Sequence, residues 1–125
     1  MGKRILIIDD DTSVRMLFTD TLTDEGFEVD TAADGMEGLE KLKEGGFDLV
    51  LLDVMMPKLD GIGILTELED HKPTTENKKI VLFTSLHDDP AVKEGLTKGA
   101  HGFIVKSDYT PEVLIAKIKT FLEEK

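Results

Sequence analysis

The 125 residues contain no cysteine and no tryptophan, and aromatics make up only 6% of the chain. Without thiols there is no disulfide framework, no thiolate zinc site and no cysteine nucleophile, so stability must come from an apolar core. Positive charge is scarce as well: 15 Lys and Arg face 26 Asp and Glu, for a net charge of -11. Such a surface repels phosphate backbones, and direct nucleic-acid binding is not expected. Long apolar runs are missing, and Met1 to Asp10 lacks the apolar stretch of a secretory signal. The reading is a soluble, untargeted cytoplasmic protein without membrane insertion. No internal repeat, low-complexity tract or interdomain linker interrupts the chain. With 40% hydrophobic and 33% charged residues, positions 1–125 are expected to form one globular domain.

Four short runs are almost purely apolar: Ile5 to Ile8, Leu49 to Leu52, Ile80 to Phe83, and Phe103 to Val105. Runs of this kind predict strands covered on both faces. Phe27 to Thr31 instead alternates apolar with polar, as a half-exposed strand at a sheet edge does. Between the strands lie stretches with helical period: Val14, Leu17, Phe18 and Leu22; Met36, Leu39 and Leu42; Ile62, Leu65 and Leu68; Leu114, Ile118, Phe121 and Leu122. Punctuation agrees with this division. Asp34 with Glu37 has the spacing of a capping box, Asp89-Pro90 and Thr110-Pro111 place a cap before a first-turn proline, and Gly26 and Gly99 stand where helices end. Lys72 to Lys79 is a polar loop, and the last helix is expected to run to Lys125. The resulting (βα)5 alternation predicts an α/β protein with a five-stranded parallel sheet and helices on both faces. A flavodoxin-like strand order, 2-1-3-4-5, leaves the alternating second strand at an edge.

In open α/β sheets the ligand lies outside the carboxyl ends of the strands. There the first strand delivers Asp9, Asp10 and Asp11, the third Asp53, the fourth Thr84 and Ser85, and the fifth Lys106. Each has a plainer use when taken alone. Asp11 or Thr12 can cap the first helix, Asp53 can merely end a strand, Thr84 is a good β-former, and Lys106 can be a surface lysine. Their coincidence at matching ends of four strands is what points to chemistry. Clustered carboxylates do not all stay ionised without a cation, and an oxygen-only donor set suits Mg²⁺. Beside such an ion Asp53 can attack a phosphoryl group, while Lys106 and Thr84 hold its oxygens.

These residues resemble the receiver domains of two-component response regulators, especially the stand-alone chemotaxis type, over essentially the whole chain. The resemblance is carried by the acids after Ile5 to Ile8, the segment Asp53-Val-Met55-Met-Pro57-Lys-Leu-Asp60-Gly61, the Phe83-Thr84-Ser85 segment, and Gly102-Phe103-Ile-Val-Lys106. It implies a phospho-acceptor switch rather than an enzyme. In this picture Asp10, Asp53 and the Met55 carbonyl coordinate Mg²⁺, Asp9 acts through a bound water, and Asp53 takes phosphate from a sensor histidine kinase or phosphotransfer protein. Thr84 and the rotamer of Phe103 then relay the change to a downstream protein through helix 4, strand 5 and helix 5. A phosphoryl group adds about -1.5 to -2 charges, enough to bias a two-state loop. Core packing is the plainer use of Phe103. Lys93, Lys98, Lys117 and Lys119 are taken as ordinary solvated helix faces, with the docking surface as the alternative.

Two departures from the family pattern stand out. Ser107 occupies the place usually held by a proline after the lysine, where a cis bond would cost about 2.5 to 4 kcal/mol. Met55 and Leu86 are apolar where other members often carry polar groups, which predicts slow loss of phosphate. A lifetime of seconds after donor removal would contradict that expectation. A rival reading is a small Mg²⁺-dependent phosphatase of haloacid-dehalogenase type, with Asp9 as nucleophile in Asp9-Asp10-Asp11-Thr12-Ser13. It leaves Asp53 without a role. A flavodoxin-like nucleotide or flavin binder is the other, but acids stand where a glycine-rich phosphate loop would be. His71, His87 and His101 have no metal-ligand spacing and receive no function.

Overall fold

The computed structural model describes residues 2–54, 56, 59–70, 73, 77–84, 90–106 and 110–123. Strand and helix alternate throughout: β1 Arg4–Ile8, α1 Thr12–Asp24, β2 Glu28–Ala32, α2 Gly35–Glu44, β3 Leu49–Asp53, α3 Gly61–Asp70, β4 Ile80–Thr84, α4 Pro90–Thr97, β5 Gly102–Val105 and α5 Pro111–Glu123. The five strands form one parallel sheet in the order β2-β1-β3-β4-β5. In register, Ile8 meets Ala32 and Leu52, Asp53 meets Phe83, and Thr84 meets Val105. The carboxyl ends of the strands therefore form a continuous rim.

Side chains alternate across a strand, so each apolar run serves two cores. Leu6, Ile8, Val50, Leu52 and Leu82 pack with Leu39, Leu42, Ile64, Leu65 and Val92, which come from α2, α3 and α4. Ile5, Ile7, Leu49, Leu51, Val81 and Phe83 pack with Phe18, Leu22, Leu114, Ile118 and Phe121, from α1 and α5. Full burial of one such side chain contributes about 1.5 to 3 kcal/mol. A strand with water on one face could not be apolar throughout, which is why β1, β3 and β4 read as they do.

Helix ends follow local chemistry. Asp11 caps α1, its carboxylate accepting from the backbone N–H groups of Ser13 and Val14. Asp34 caps α2 by accepting from the Glu37 N–H at 2.8 Å, while Glu37 reaches back to the N–H of Ala33 at 2.7 Å. The reciprocal bond of the capping box thus falls one residue earlier than the motif predicts. Thr110 Oγ1 accepts from the Val113 N–H ahead of Pro111, and Gly26 and Gly99 adopt φ of 92° and 110° just beyond α1 and α4. Pro90 does open α4. Its expected cap, Asp89, lies outside the described residues, as do Lys125 and most of the 71–76 loop.

Several expectations are corrected. The Phe103 to Val105 run is not covered on both faces: β5 is an edge strand, and Phe103 is 38% exposed. β2 lies one residue later than predicted, at Glu28–Ala32, although it is indeed the other edge. Leu17 and Met36, placed on buried helix faces by their spacing, are exposed. Each sits about 100° around its helix from the centre of the buried stripe, which is set by Val14, Phe18 and Leu22 in α1 and by Gly35, Gly38, Leu39 and Leu42 in α2. The polar loop before β4 holds a residue that the sequence left unremarked. Asn77 is buried, accepting from the Phe47 N–H and donating to the Leu42 carbonyl, and so ties the approach to β4 to the chain entering β3.

Candidate functional site

Parallel strands bring the predicted residues together at the rim. The carboxylates of Asp9, Asp10 and Asp53 each offer an oxygen within 4.8 Å of the others. Lys106, at the end of β5, reaches across β4 to place Nζ 2.6 Å from Asp9 Oδ2 and 3.5 Å from Asp53 Oδ2. Its ammonium also lies 5.1 Å from the centroid of the Phe83 ring, whose apolar face backs the pair. Asp9 is fully buried and Asp53 nearly so, whereas Asp10 is exposed.

The β1–α1 loop is braced at several points. The Asp9 N–H donates to the Ala32 carbonyl, and Asp9 Oδ1 accepts from the Asp11 N–H at 2.9 Å. One acid in Asp9-Asp10-Asp11 is a helix cap, one a buried anchor, and one an exposed member of the cluster. Asp11 therefore takes the plainer use considered for it; Asp10 is exposed, and Asp9 is buried rather than solvated. Beyond β3, Asp60 caps α3 through the Gly63 N–H, and Gly61 is pressed against the end of β3. A Cβ on Gly61 would stand 2.6 Å from the Asp53 carbonyl oxygen, so only glycine allows this approach.

Thr84 closes β4, one step beyond the register partner of Asp53, and is buried. Phe103 pairs with Leu82 and sits below the rim with its ring exposed, outside the acid cluster. Met55, Ser85, Leu86 and Ser107 lie outside the described residues, so the expected carbonyl ligand, the peptide after Lys106 and the two apolar positions fall there too. His71 and His87 do likewise. His101 Nδ1 accepts from the Ile80 N–H at 3.1 Å, a structural bond between β4 and the entry to β5. Lys119 pairs with Glu25 at 3.1 Å and Lys117 lies over Phe121, so Lys119 faces α1 rather than the α4–β5–α5 face considered for it.

Among the described residues the cluster is three carboxylates against one ammonium, with oxygen donors and no imidazole. That set is able to hold a hard divalent ion.

An open parallel sheet in this order with five helices is the fold of CheY-like receiver domains. The chain belongs to the response regulator receiver domain family, whose sequence profile matches residues 5–119. It is 34% identical over 122 residues to the transcriptional regulatory protein SrrA of Staphylococcus aureus, covering 98% of this chain and 48% of SrrA. The chain thus spans about half the length of the curated relatives it matches. Among solved structures it is similar to the chemotaxis protein CheY4 of Vibrio cholerae, with 31% identity and a TM-score of 0.82 over 97% of this chain and 99% of that one. It also resembles a chain of the CheX–CheY–BeF3–Mg²⁺ complex of Borrelia burgdorferi, with 32% identity and a TM-score of 0.82, covering 98% and 90%. The flavodoxin-like fold with strand order 2-1-3-4-5 expected from the alternation of elements is the fold found. No described helix is long and apolar enough to cross a membrane.

Proposed function

We propose that this chain is a phosphorylation switch in which Asp53 accepts a phosphoryl group from a phosphohistidine on a sensor kinase or phosphotransfer protein. The observation that carries the reading is the meeting of Asp9, Asp10 and Asp53 within 4.8 Å, with Lys106 bridging two of them. In the transfer the P–N bond to histidine breaks, its electron pair stays on the imidazole nitrogen, and an Asp53 Oδ–P bond forms. Mg²⁺ would be held by Asp10, Asp53 and the Met55 carbonyl, with Asp9 acting through water, and when bound it supplies neutralising charge for nucleophile and phosphoryl oxygens. The Mg²⁺ and BeF3 of the Borrelia complex support that choice of ion.

Lys106 already neutralises Asp9 and stands close enough to Asp53 to turn toward a new phosphoryl oxygen. Thr84, at the end of the neighbouring strand, offers its hydroxyl to another. Its movement, together with a rotamer change of the exposed Phe103, would carry the signal to the α4–β5–α5 face and a downstream protein. Residues 1–125 act in this reading as one cytoplasmic receiver domain that assists only its own phosphorylation and dephosphorylation. The phosphatase alternative is less well served by the geometry. Asp9 is fully buried with one oxygen on the Asp11 N–H and the other on Lys106, so neither is presented to a substrate.

Labelling with a small phosphodonor, with and without Mg²⁺, tests the assignment. The parent is expected to carry Mg²⁺-dependent label on the Asp53 peptide, and Asp53→Asn none. Label on Asp9, or equal uptake by the Asn variant, would overturn it.

A further inference from the structure

Arg15, in the first turns of α1, directs its guanidinium back at the loop that carries the acids. Nη1 donates to the Asp9 carbonyl oxygen at 2.6 Å, and Nη2 to Thr12 Oγ1 at 3.2 Å. The Asp9 carbonyl shares a rigid peptide plane with the Asp10 N–H, so holding that oxygen fixes the rotation of the plane and the direction in which Asp10 leaves the backbone. Asp9 has other anchors, in the Ala32 carbonyl, the Asp11 N–H and Lys106. Asp10 is exposed, and among the described residues its carboxylate enters no hydrogen bond or ion pair. Even so, its oxygen lies within 4.8 Å of those of Asp9 and Asp53. Something other than its own side-chain contacts must aim it.

We infer that Arg15 is a positioning residue for the cation site, clamping the Asp9–Asp10 peptide to the start of α1 so that the Asp10 carboxylate points into the cluster. This rests on the Mg²⁺ reading above. A planar guanidinium suits the task because its two nitrogens engage the carbonyl and the hydroxyl in one fixed geometry. A purely electrostatic role has the opposite signature. A cation beside three carboxylates repels an incoming divalent ion, so its removal would tighten binding. Loss of a positioning contact weakens it.

Calorimetric titration of the full chain with MgCl2 separates the two, using the parent, Arg15→Met and Thr12→Val, each checked for its folded ¹H–¹⁵N spectrum. Arg15→Met, which keeps the apolar stem, is expected to weaken Mg²⁺ binding about ten-fold and to move the Asp10 amide resonance. Thr12→Val removes one of the two anchors and is expected to weaken binding by less, in the same direction. Unchanged or tighter binding in Arg15→Met overturns the inference while leaving the site intact, because the parent still binds. A parent that takes up no Mg²⁺ overturns both readings. If Arg15→Met fails to fold, unchanged affinity in Thr12→Val overturns the inference alone.

Discussion

Replacing Asp53 with asparagine should make the metal-free protein more stable, although it removes the proposed acceptor. At an effective dielectric of about 20, two carboxylates at the 4.8 Å outer limit of this cluster repel by about 3.5 kcal/mol. Asp53 meets two such neighbours. The Lys106 ammonium at 3.5 Å returns about 4.7 kcal/mol of attraction at the same dielectric, leaving about 2 kcal/mol of repulsion among these four charges alone. Asp10 is exposed and its share is partly screened, so a gain of about 1 kcal/mol is the reasonable expectation. In urea with a chelator this would appear as a midpoint about 0.5 M higher at unchanged slope, followed by circular dichroism. Excess Mg²⁺ should reverse the order. A ligand at a hundred times its Kd stabilises the parent by about 2.7 kcal/mol, and the variant lacks one of the carboxylates proposed to hold it. An Asn variant less stable than the parent in chelator, or one stabilised equally by Mg²⁺, would refute the reasoning.

Other consequences follow from the same contacts. Lys106→Met leaves Asp9 buried without its ammonium, and a loss of about 3 kcal/mol in metal-free unfolding is expected, smaller when Mg²⁺ is present. Gly61→Ala drives a methyl to 2.6 Å from the Asp53 carbonyl, so scanning calorimetry should show about 1 to 3 kcal/mol of destabilisation, together with slower phosphodonor labelling. Burial would raise the pKa of Asp48, but the Arg4 N–H and the Lys78 ammonium prevail and hold it below its ordinary value. A depressed carboxylate pKa contributes stability above the unfolded value of about 3.9 and loses it as pH falls through the folded one. Asp48→Asn should therefore be less stable than the parent at neutral pH, and the gap should close in acid denaturation below about pH 4.

Much of the site was legible because chain order and geometry coincide in a parallel sheet. Asp9, Asp53, Thr84 and Lys106 each follow an apolar run, and parallel strands stack such positions along one rim. Fine assignment within Asp9-Asp10-Asp11 was only partly legible, with Asp11 one of two candidate caps. Three identical side chains in a row become a buried anchor, an exposed acid and a helix cap only through the turn between β1 and α1. Arg15 and Asn77 were missed for a similar reason, since both bond to backbone atoms, and backbone donors and acceptors leave no mark in a residue pattern. Leu17 and Met36 show the limit of periodicity. Spacing marks a helical face, but the neighbouring elements decide how wide the covered stripe is.

By itself the sequence determined the alternation of strands and helices, the excess of acid, and which residues arrive at the carboxyl ends, because these follow from local hydrophobic period and chain order. Only the tertiary structure decided that Lys106 pairs with Asp9 at 2.6 Å, that Gly61 presses on Asp53, and that Phe103 lies open at an edge. Those depend on which strands become neighbours, a long-range outcome of packing that no local pattern encodes.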